Sequence, residues 1–335
     1  MVKAITERSQ SVKPADVQPA ADFRVVPIIG RSHTEPDYHL LEDQTVDKVQ
    51  ITETSDAGAV PELVVENSLD AMVFLMDGQE LIGAKQNRIL NTDVLIAPNS
   101  KAHIPVSCVE EGRWRHVSPH FTPGKSASHR TRSSKMRRVR ESLEREGRYD
   151  ADQSAVWGEV QHCMSRSAAA SPTSALADAY AAKQRELNAA RAALQLPDDA
   201  VGVGVFRGEA FLGLDLFDRH ATCRYFWESL IDSYLIDPVD GRVAVADAAL
   251  TETQTIQNHL GRVTDATWRD YPTPGEGRDY RCNDDVVEAA ALVWNDEVVV
   301  HLQLFPNPAA HDSQSDRGTS VHPRLHRRYM RRRDD

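Results

Sequence analysis

Short apolar runs separated by turn-forming residues fill the first and last thirds of the chain, and the middle is first polar and then helix-periodic. Residues 1–20 show no periodicity and few large apolar groups, which predicts a flexible arm. Between Phe23 and Val109 the runs Val25–Gly30, Ala59–Asn67, Ala71–Met76, Gln79–Gly83, Arg88–Asn91, Asp93–Ala97 and His103–Val109 read as strands of a sandwich or barrel-like sheet. Asp77-Gly78 is the strongest hairpin signal among them. Residues 115–150 are rich in Ser, Arg and His and predict a long excursion outside the core. Helical patterns follow at Ser154–Met164, Ser174–Leu194, Thr222–Ile236 and Thr251–Val263, the last with Thr251 as N-cap. Two further hairpins, Val201–Phe206 with Ala210–Phe217 and Val286–Trp294 with Glu297–Phe305, both end in Leu-Phe. They are either neighbours in one sheet or a chance likeness of valine-rich segments. The expected fold is α+β, with a sandwich-like region over 21–114, a basic excursion over 115–150, helices packed on hairpins over 151–306, and a disordered basic tail over 307–335.

Apolar residues make up 41% of the 335, enough to bury a sizeable core. The start turns polar at once, without the apolar stretch of a signal peptide, and no apolar run approaches the ~20 residues that span a bilayer. A cytoplasmic protein with no membrane partner is expected. The four scattered cysteines form no C-x-x-C pair and are expected as free thiols. Net charge is −11, unevenly spread. Residues 125–148 hold nine Lys/Arg against three Glu (9 − 3 = +6), and Arg324–Asp335 six Arg against two Asp (6 − 2 = +4), which leaves −21 on the rest. Such a body repels nucleic acid, so the basic stretches read as solvated linker and tail in preference to a nucleic-acid surface. A phosphate-containing small molecule would have to meet a local basic patch.

Two segments carry a family likeness. One is Asp77-Gly78-Gln79-Glu80-Leu81-Ile82-Gly83-Ala84-Lys85-Gln86-Asn87-Arg88-Ile89-Leu90-Asn91, followed by Ile104–Glu110 and Gly112-Arg113-Trp114. The other runs from Gly208 through Gly213-Leu214-Asp215-Leu216-Phe217, with Trp227 and Ser233-Tyr234 behind it. Together they resemble the ARG and rhodanese-phosphatase-superfamily-associated protein domain, where ARG stands for ADP-ribosylglycohydrolase, over roughly residues 20–306. The run Leu214–Phe217 departs conservatively from the Ala-Asp-Ile-Phe-like form commoner there. The resemblance implies, by association, a role near NAD or ADP-ribose metabolism, through binding or processing a nucleotide or ADP-ribose-related ligand. The other reading is a non-catalytic interaction or scaffold protein.

The candidate site starts from the polar run Glu80, Lys85, Gln86, Asn87 and Arg88. Strand alternation would send Lys85 and Asn87 to one face and Gln86 and Arg88 to the other. Lys85 and Arg88 suit a phosphate or carboxylate, and Gln86 and Asn87 a ribose or base. Equally, these groups satisfy loose backbone ends and pair with Glu80 and Glu110. Arg113 belongs to the same set, and Trp114 either stacks on an adenine or packs in the core. Glu110 is a candidate general base or ribose-hydroxyl acceptor. Cys108 reads as a small buried hydrophobe in preference to a nucleophile activated by Arg113, His103 or His116. Asp215 is a candidate catalytic carboxylate beside Glu80 or Glu110, or else a helix cap or a partner of Arg219, and His301 is equally open. No metal site is expected, because the i, i+4 pairs His116/His120 and His322/His326 lie in no convincing helix with a carboxylate partner. No P-loop, Rossmann fingerprint or G-x-S-x-G elbow indicates a cofactor or a serine nucleophile.

Overall fold

The computed structural model describes residues 2–42, 47–55, 61–237 and 250–307. The expected tail, apart from Asn307, and the opening residues Ala59-Val60 of one expected strand lie outside them. The described residues form six helices and eighteen strands in three sheets, an α+β architecture. The helices are α1 (Lys3–Gln10), α2 (His129–Glu146), α3 (Gln153–Ser167), α4 (Leu176–Arg191), α5 (His220–Leu235) and α6 (Glu252–Asp265). The last four match the helical patterns of the sequence, and α6 opens with a capping box between Thr251 and Gln254.

The nine-stranded antiparallel sheet runs Val12–Pro14, Phe23–Gly30, Ala200–Arg207, Ala210–Phe217, Val298–Pro306, Val287–Trp294, Arg278–Asn283, Arg269–Pro272, with Gln18–Ala20 also on Phe23–Gly30. The two similar hairpins are neighbours here, with Leu214 opposite Leu304, Asp215 opposite Gln303, Leu216 opposite Leu302 and Phe217 opposite His301. Because side chains alternate along a strand, this register sorts the residues cleanly. The four leucines join the core beneath α1 and α6, which contains Ile5, Ile256 and Leu260. Asp215, Phe217, His301, Gln303 and Phe305 share the other face, where Phe217 and Phe305 meet Phe226, Leu230 and Tyr234 of α5.

A six-stranded sheet and a three-stranded sheet share a third core that includes Val65, Leu81, Leu90 and Ile104 against Val73, Leu75 and Val94. Helices α2, α3 and α4 close a fourth core around Ile89, Val139, Leu143, Val160 and Tyr180.

Four expectations are corrected. Residues 1–20 are not a flexible arm, since α1 buries Ala4 and Ile5 and sends Arg8 inward to the carbonyls of Phe217 and Arg31. Two apolar residues and one cation suffice because the leucine face of the sheet supplies the rest of the contact. Phe23–Gly30, grouped by sequence with the N-terminal strands, pairs with Ala200–Arg207 instead. Asp77-Gly78 does form a tight turn (Gln79 N donates to Met76 O, 3.0 Å), but its flanking strands enter different sheets. Met72–Leu75 joins Val94–Ile96 and Tyr38–Leu40, while Gln79–Gly83 joins Phe121–Ser126 and Arg88–Leu90. The Asp77 carboxylate is drawn into the interior by Lys135 and Gln303, so the turn points inward and does not close a ladder. Gly78 fits there because its φ is +76° and a Cβ would lie 2.9 Å from the Arg132 stem.

The fourth correction concerns the basic excursion. Most of it is α2, capped by Ser128 at its start and by left-handed Gly147 at its end. Its buried stripe Met136, Val139 and Leu143 continues toward the N-terminus as Arg132 and Lys135. The helix therefore docks by charge as well as by apolar surface.

Candidate functional site

The sequence-derived site residues form one corner, with the exception of Asp215. Residues 84–87 are a bend between Gln79–Gly83 and Arg88–Leu90, with Gly83 at φ +135° and Ala84 at φ +38°. They do not alternate as a strand, and Lys85, Gln86, Asn87 and Arg88 are all buried. The corner has two halves.

The inner half is a saturated brace. Arg113 grips both Glu110 oxygens (Nε to Oε1 2.8 Å, Nη2 to Oε2 2.6 Å) and also donates to Asn87 Oδ1 and the carbonyls of Gly83 and Ala84. Thr173 and the Asn87 backbone N–H also donate to Glu110. Burial would raise the Glu110 carboxyl, but these donors outweigh it and hold it below its usual range. A carboxylate so occupied is poorly placed to take a proton as general base. Glu80 accepts from Asn87 Nδ2 at 3.2 Å, and burial pushes it up to about 8. It is therefore a largely neutral acid at pH 7.

The outer half is less complete. Arg88 is wholly buried, and its Nη1 meets Gln86 Oε1 at 2.9 Å and the Cys108 thiol. Its Nη2 lies 3.7 Å from Glu53, outside hydrogen-bond reach, and Nε and Nη2 have no acceptor. Glu53 Oε2 is likewise unmatched. The Trp114 ring covers this group, with Lys85 Nζ and the Arg88 guanidinium carbon 5.5 and 5.6 Å from its centroid. Trp114 is 49% exposed, and Ile82 and Val117 are the other exposed large apolar residues among those described. Ile82 precedes Gly83 on its strand, and the Val117 N–H donates to Ala84 O. Burial raises the Cys108 thiol despite Arg88 beside it, so it behaves as an inert thiol.

Asp215 pairs with neither Glu80, Glu110 nor Arg219; Arg219 binds Asp218. Instead it takes a two-pronged bond from Arg132 of α2, 2.8 Å on each oxygen, and further donations from Tyr234 OH and His301 Nε2. Burial would raise it, but Arg132 and His301 hold it well below the carboxylate range. His301 Nδ1 meets Asp93 at 2.9 Å, so the ring is clamped between two carboxylates. Burial opposes its charge, yet Asp93 and Asp215 lift it to about 9. Lys135 and Gln303 hold Asp77, and Arg281 joins Asp279 to Thr92. With His301 protonated, Arg132, Lys135, Arg281 and His301 face Asp77, Asp93, Asp215 and Asp279, a balanced buried set. Among the described residues no three His, Cys, Asp or Glu side chains are grouped to hold a metal ion, and no helix is long and apolar enough to cross a membrane.

Sequence reasoning missed Arg132, Lys135, Asp77, Asp93 and Glu53. The signal for the two cations was present, since they extend the Met136–Val139–Leu143 stripe at helical spacing. The basic charge of 125–148 is also largely paired with carboxylates of the fold, partly in the interior and partly at the surface. Lys125 pairs with Asp232, Arg130 with Glu159, Arg132 with Asp215, Lys135 with Asp77, Arg138 with Glu141, Arg140 with Glu288 and Arg148 with Glu146.

The architecture is thus an α+β domain with a braced polar corner at one edge and a balanced charge network inside. A model of the ARG and rhodanese-phosphatase-superfamily-associated protein domain matches residues 11–305, and the chain belongs to that family. The match begins within the segment that the sequence alone assigned to a flexible arm. No curated protein and no solved structure matches the chain.

Proposed function

We propose that this domain binds a phosphate-bearing ligand of the nucleotide or ADP-ribose class at the outer corner. The phosphate meets Arg88 and a flat base rests on Trp114. One observation carries this reading, namely a wholly buried guanidinium with two unmatched nitrogens beneath a half-exposed indole. Unmatched buried donors are uncommon and mark places where water, an ion or a ligand belongs. Arg suits phosphate through its fork of donors, and the half-exposed Trp114 indole suits a base. Trp114 swings aside to admit the ligand, while the Glu110–Arg113 brace stays fixed.

The saturation of Glu110 and Asp215 favours binding over catalysis. It also supports a second reading, in which the polar signature is a brace in a scaffold protein.

A thermal-shift screen against ADP-ribose, NAD, AMP and inorganic phosphate tests the proposal. A ligand at ~100 times its dissociation constant stabilises by about 2.7 kcal/mol. The expected result is a shift with at least one nucleotide that is lost in both Arg88→Ala and Trp114→Ala. Trp114→Ala removes a half-exposed side chain, so its fold is retained. No shift with the folded wild-type protein, or a shift that survives both substitutions, favours the scaffold reading.

A further inference from the structure

Glu53 and Arg88 reach the outer corner from different strands and do not close on each other. Glu53 ends the strand Val49–Glu53 and Arg88 opens Arg88–Leu90, and their side chains are 5% and 0% exposed. Each is anchored at one end only. The Lys85 N–H donates to Glu53 Oε1 at 3.4 Å, while Arg88 Nη1 is taken by Gln86 and Cys108. Arg88 Nη2 stands 3.7 Å from that same Oε1, beyond hydrogen-bond reach. The second carboxylate oxygen, Oε2, is buried with no donor, and Arg88 Nε and Nη2 are buried with no acceptor. One acceptor and two donors are thus open side by side beneath the Trp114 indole.

A bare phosphate answers only half of this. Its oxygens accept from Arg88, but they then stand beside an oxygen that itself only accepts. The group that answers both halves carries an acceptor and an O–H donor a short distance apart. In the nucleotide class that is a phosphate together with a hydroxyl of its ribose, and a carboxylate is the side chain that takes such a hydroxyl at dinucleotide sites. No other side chain of the corner is as free to do so. Asn87 is spent on Glu80 and Arg113, Gln86 on Arg88 and the Glu111 carbonyl, and Glu110 on Arg113 and Thr173.

Resting on the nucleotide reading above, we infer that Glu53 is the specificity-determining residue of that site. Its Oε2 accepts a ribose hydroxyl while Arg88 takes the phosphate, so the ligand is a ribonucleotide with its sugar hydroxyls free. Nucleotides lacking them leave Oε2 unmatched and are rejected, because a buried polar group without its partner is costly.

The test is isothermal titration of the full chain with AMP and with 2′,3′-dideoxy-AMP. The two share base and phosphate, so the ratio of their affinities isolates the hydroxyls. AMP is expected to bind the wild type about tenfold or more tightly than the dideoxy form. That ratio should fall below about twofold in Glu53→Ala, and both ligands should weaken in Arg88→Ala. Glu53→Ala leaves Arg88 without its nearest carboxylate, so its fold is checked by circular dichroism. Should it unfold, Glu53→Gln keeps the side-chain shape with a neutral amide oxygen, and its ratio should lie between the two. Equal wild-type affinity for both ligands, lost in Arg88→Ala, overturns the role of Glu53 and leaves the nucleotide reading standing. A wild-type ratio retained in the folded Glu53 variant also overturns that role, since the hydroxyls are then read elsewhere. Binding of neither ligand to the folded wild type overturns both.

Discussion

The corner around Arg88 and the network around Arg132 are both built from buried arginines, carboxylates and a tight turn, yet they close differently. Arg132 places two nitrogens on Asp215, and Arg281 places Nε on Asp279 and Nη2 on Thr92, so each keeps one nitrogen unmatched. Arg88 keeps two unmatched, and its bonded nitrogen meets an amide oxygen and a thiol, not a carboxylate. In the network every charge has a counter-charge. In the corner the strong pairing belongs to Arg113, one layer further in. Two polar clusters that look alike in sequence thus divide into one that holds the fold and one with capacity to spare.

The sharpest way to break this comparison is Asp215→Asn. It leaves Arg132 buried without its counter-charge, and loss of one partner of a buried pair costs about 3–5 kcal/mol. Urea unfolding should show that loss, and a change below about 1 kcal/mol would mean that the network does not hold the fold.

Next in size is the pH dependence. His301 titrates near 9 in the folded protein against 6.5 for an ordinary histidine. A raised histidine contributes fully below pH ~6.5, and its contribution is lost as pH rises through about 9. At about 1.4 kcal/mol per pH unit the loss is on the order of 3 kcal/mol. Glu80 acts with the same sign, because the folded protein keeps its proton up to about 8 against 4.5 in the unfolded chain, so stability falls as pH rises between those values. Unfolding free energies measured from pH 5 to 9.5 should therefore decline. His301→Gln should flatten the upper part of the curve and Glu80→Gln the lower part. A flat wild-type profile would remove the clamped imidazolium from the account.

The smallest effect distinguishes the corner from the network most directly. Arg88→Met removes one good hydrogen bond and the counter-charge 3.7 Å from the buried Glu53, a looser contact than the Arg132–Asp215 fork, so its cost should be about 1–3 kcal/mol and below that of Asp215→Asn. A loss as large as that of Asp215→Asn would make Arg88 a structural residue like Arg132.

Much of the fold was legible. Both C-terminal hairpins and four helices follow from apolar period and turn chemistry, because these elements bury one face each and announce it every second or every third to fourth residue, whereas the adjacency of the hairpins was one of two open readings. The flexible-arm and excursion readings fail for a common reason. Helices α1 and α2 dock partly through Arg8, Arg132 and Lys135, which apolar counting scores as solvent-facing. The Asp77-Gly78 turn was visible, but not the fact that its aspartate belongs to a core some two hundred residues away at Gln303. The corner was legible as a set, since its residues lie close in sequence between Glu80 and Trp114. Its division into brace and open half was not, because that depends on Glu53 and Thr173, whose approach is set by other strands and loops.

The pairing of Phe23–Gly30 with Ala200–Arg207 sets a timetable for synthesis. A ribosome adding about 5–20 residues per second needs roughly 10–30 s to travel from one strand to the other. Through that interval Val25, Val26 and Ile28, all wholly buried in the finished sheet, lack the strand Ala200–Arg207 and the later helices α5 and α6, and of the helices that cover them only α1 has been made. The nascent chain should therefore present a sticky N-terminal segment that chaperones can occupy, and the large sheet can only be completed late, when Val298–Pro306 emerges to bridge the two hairpins.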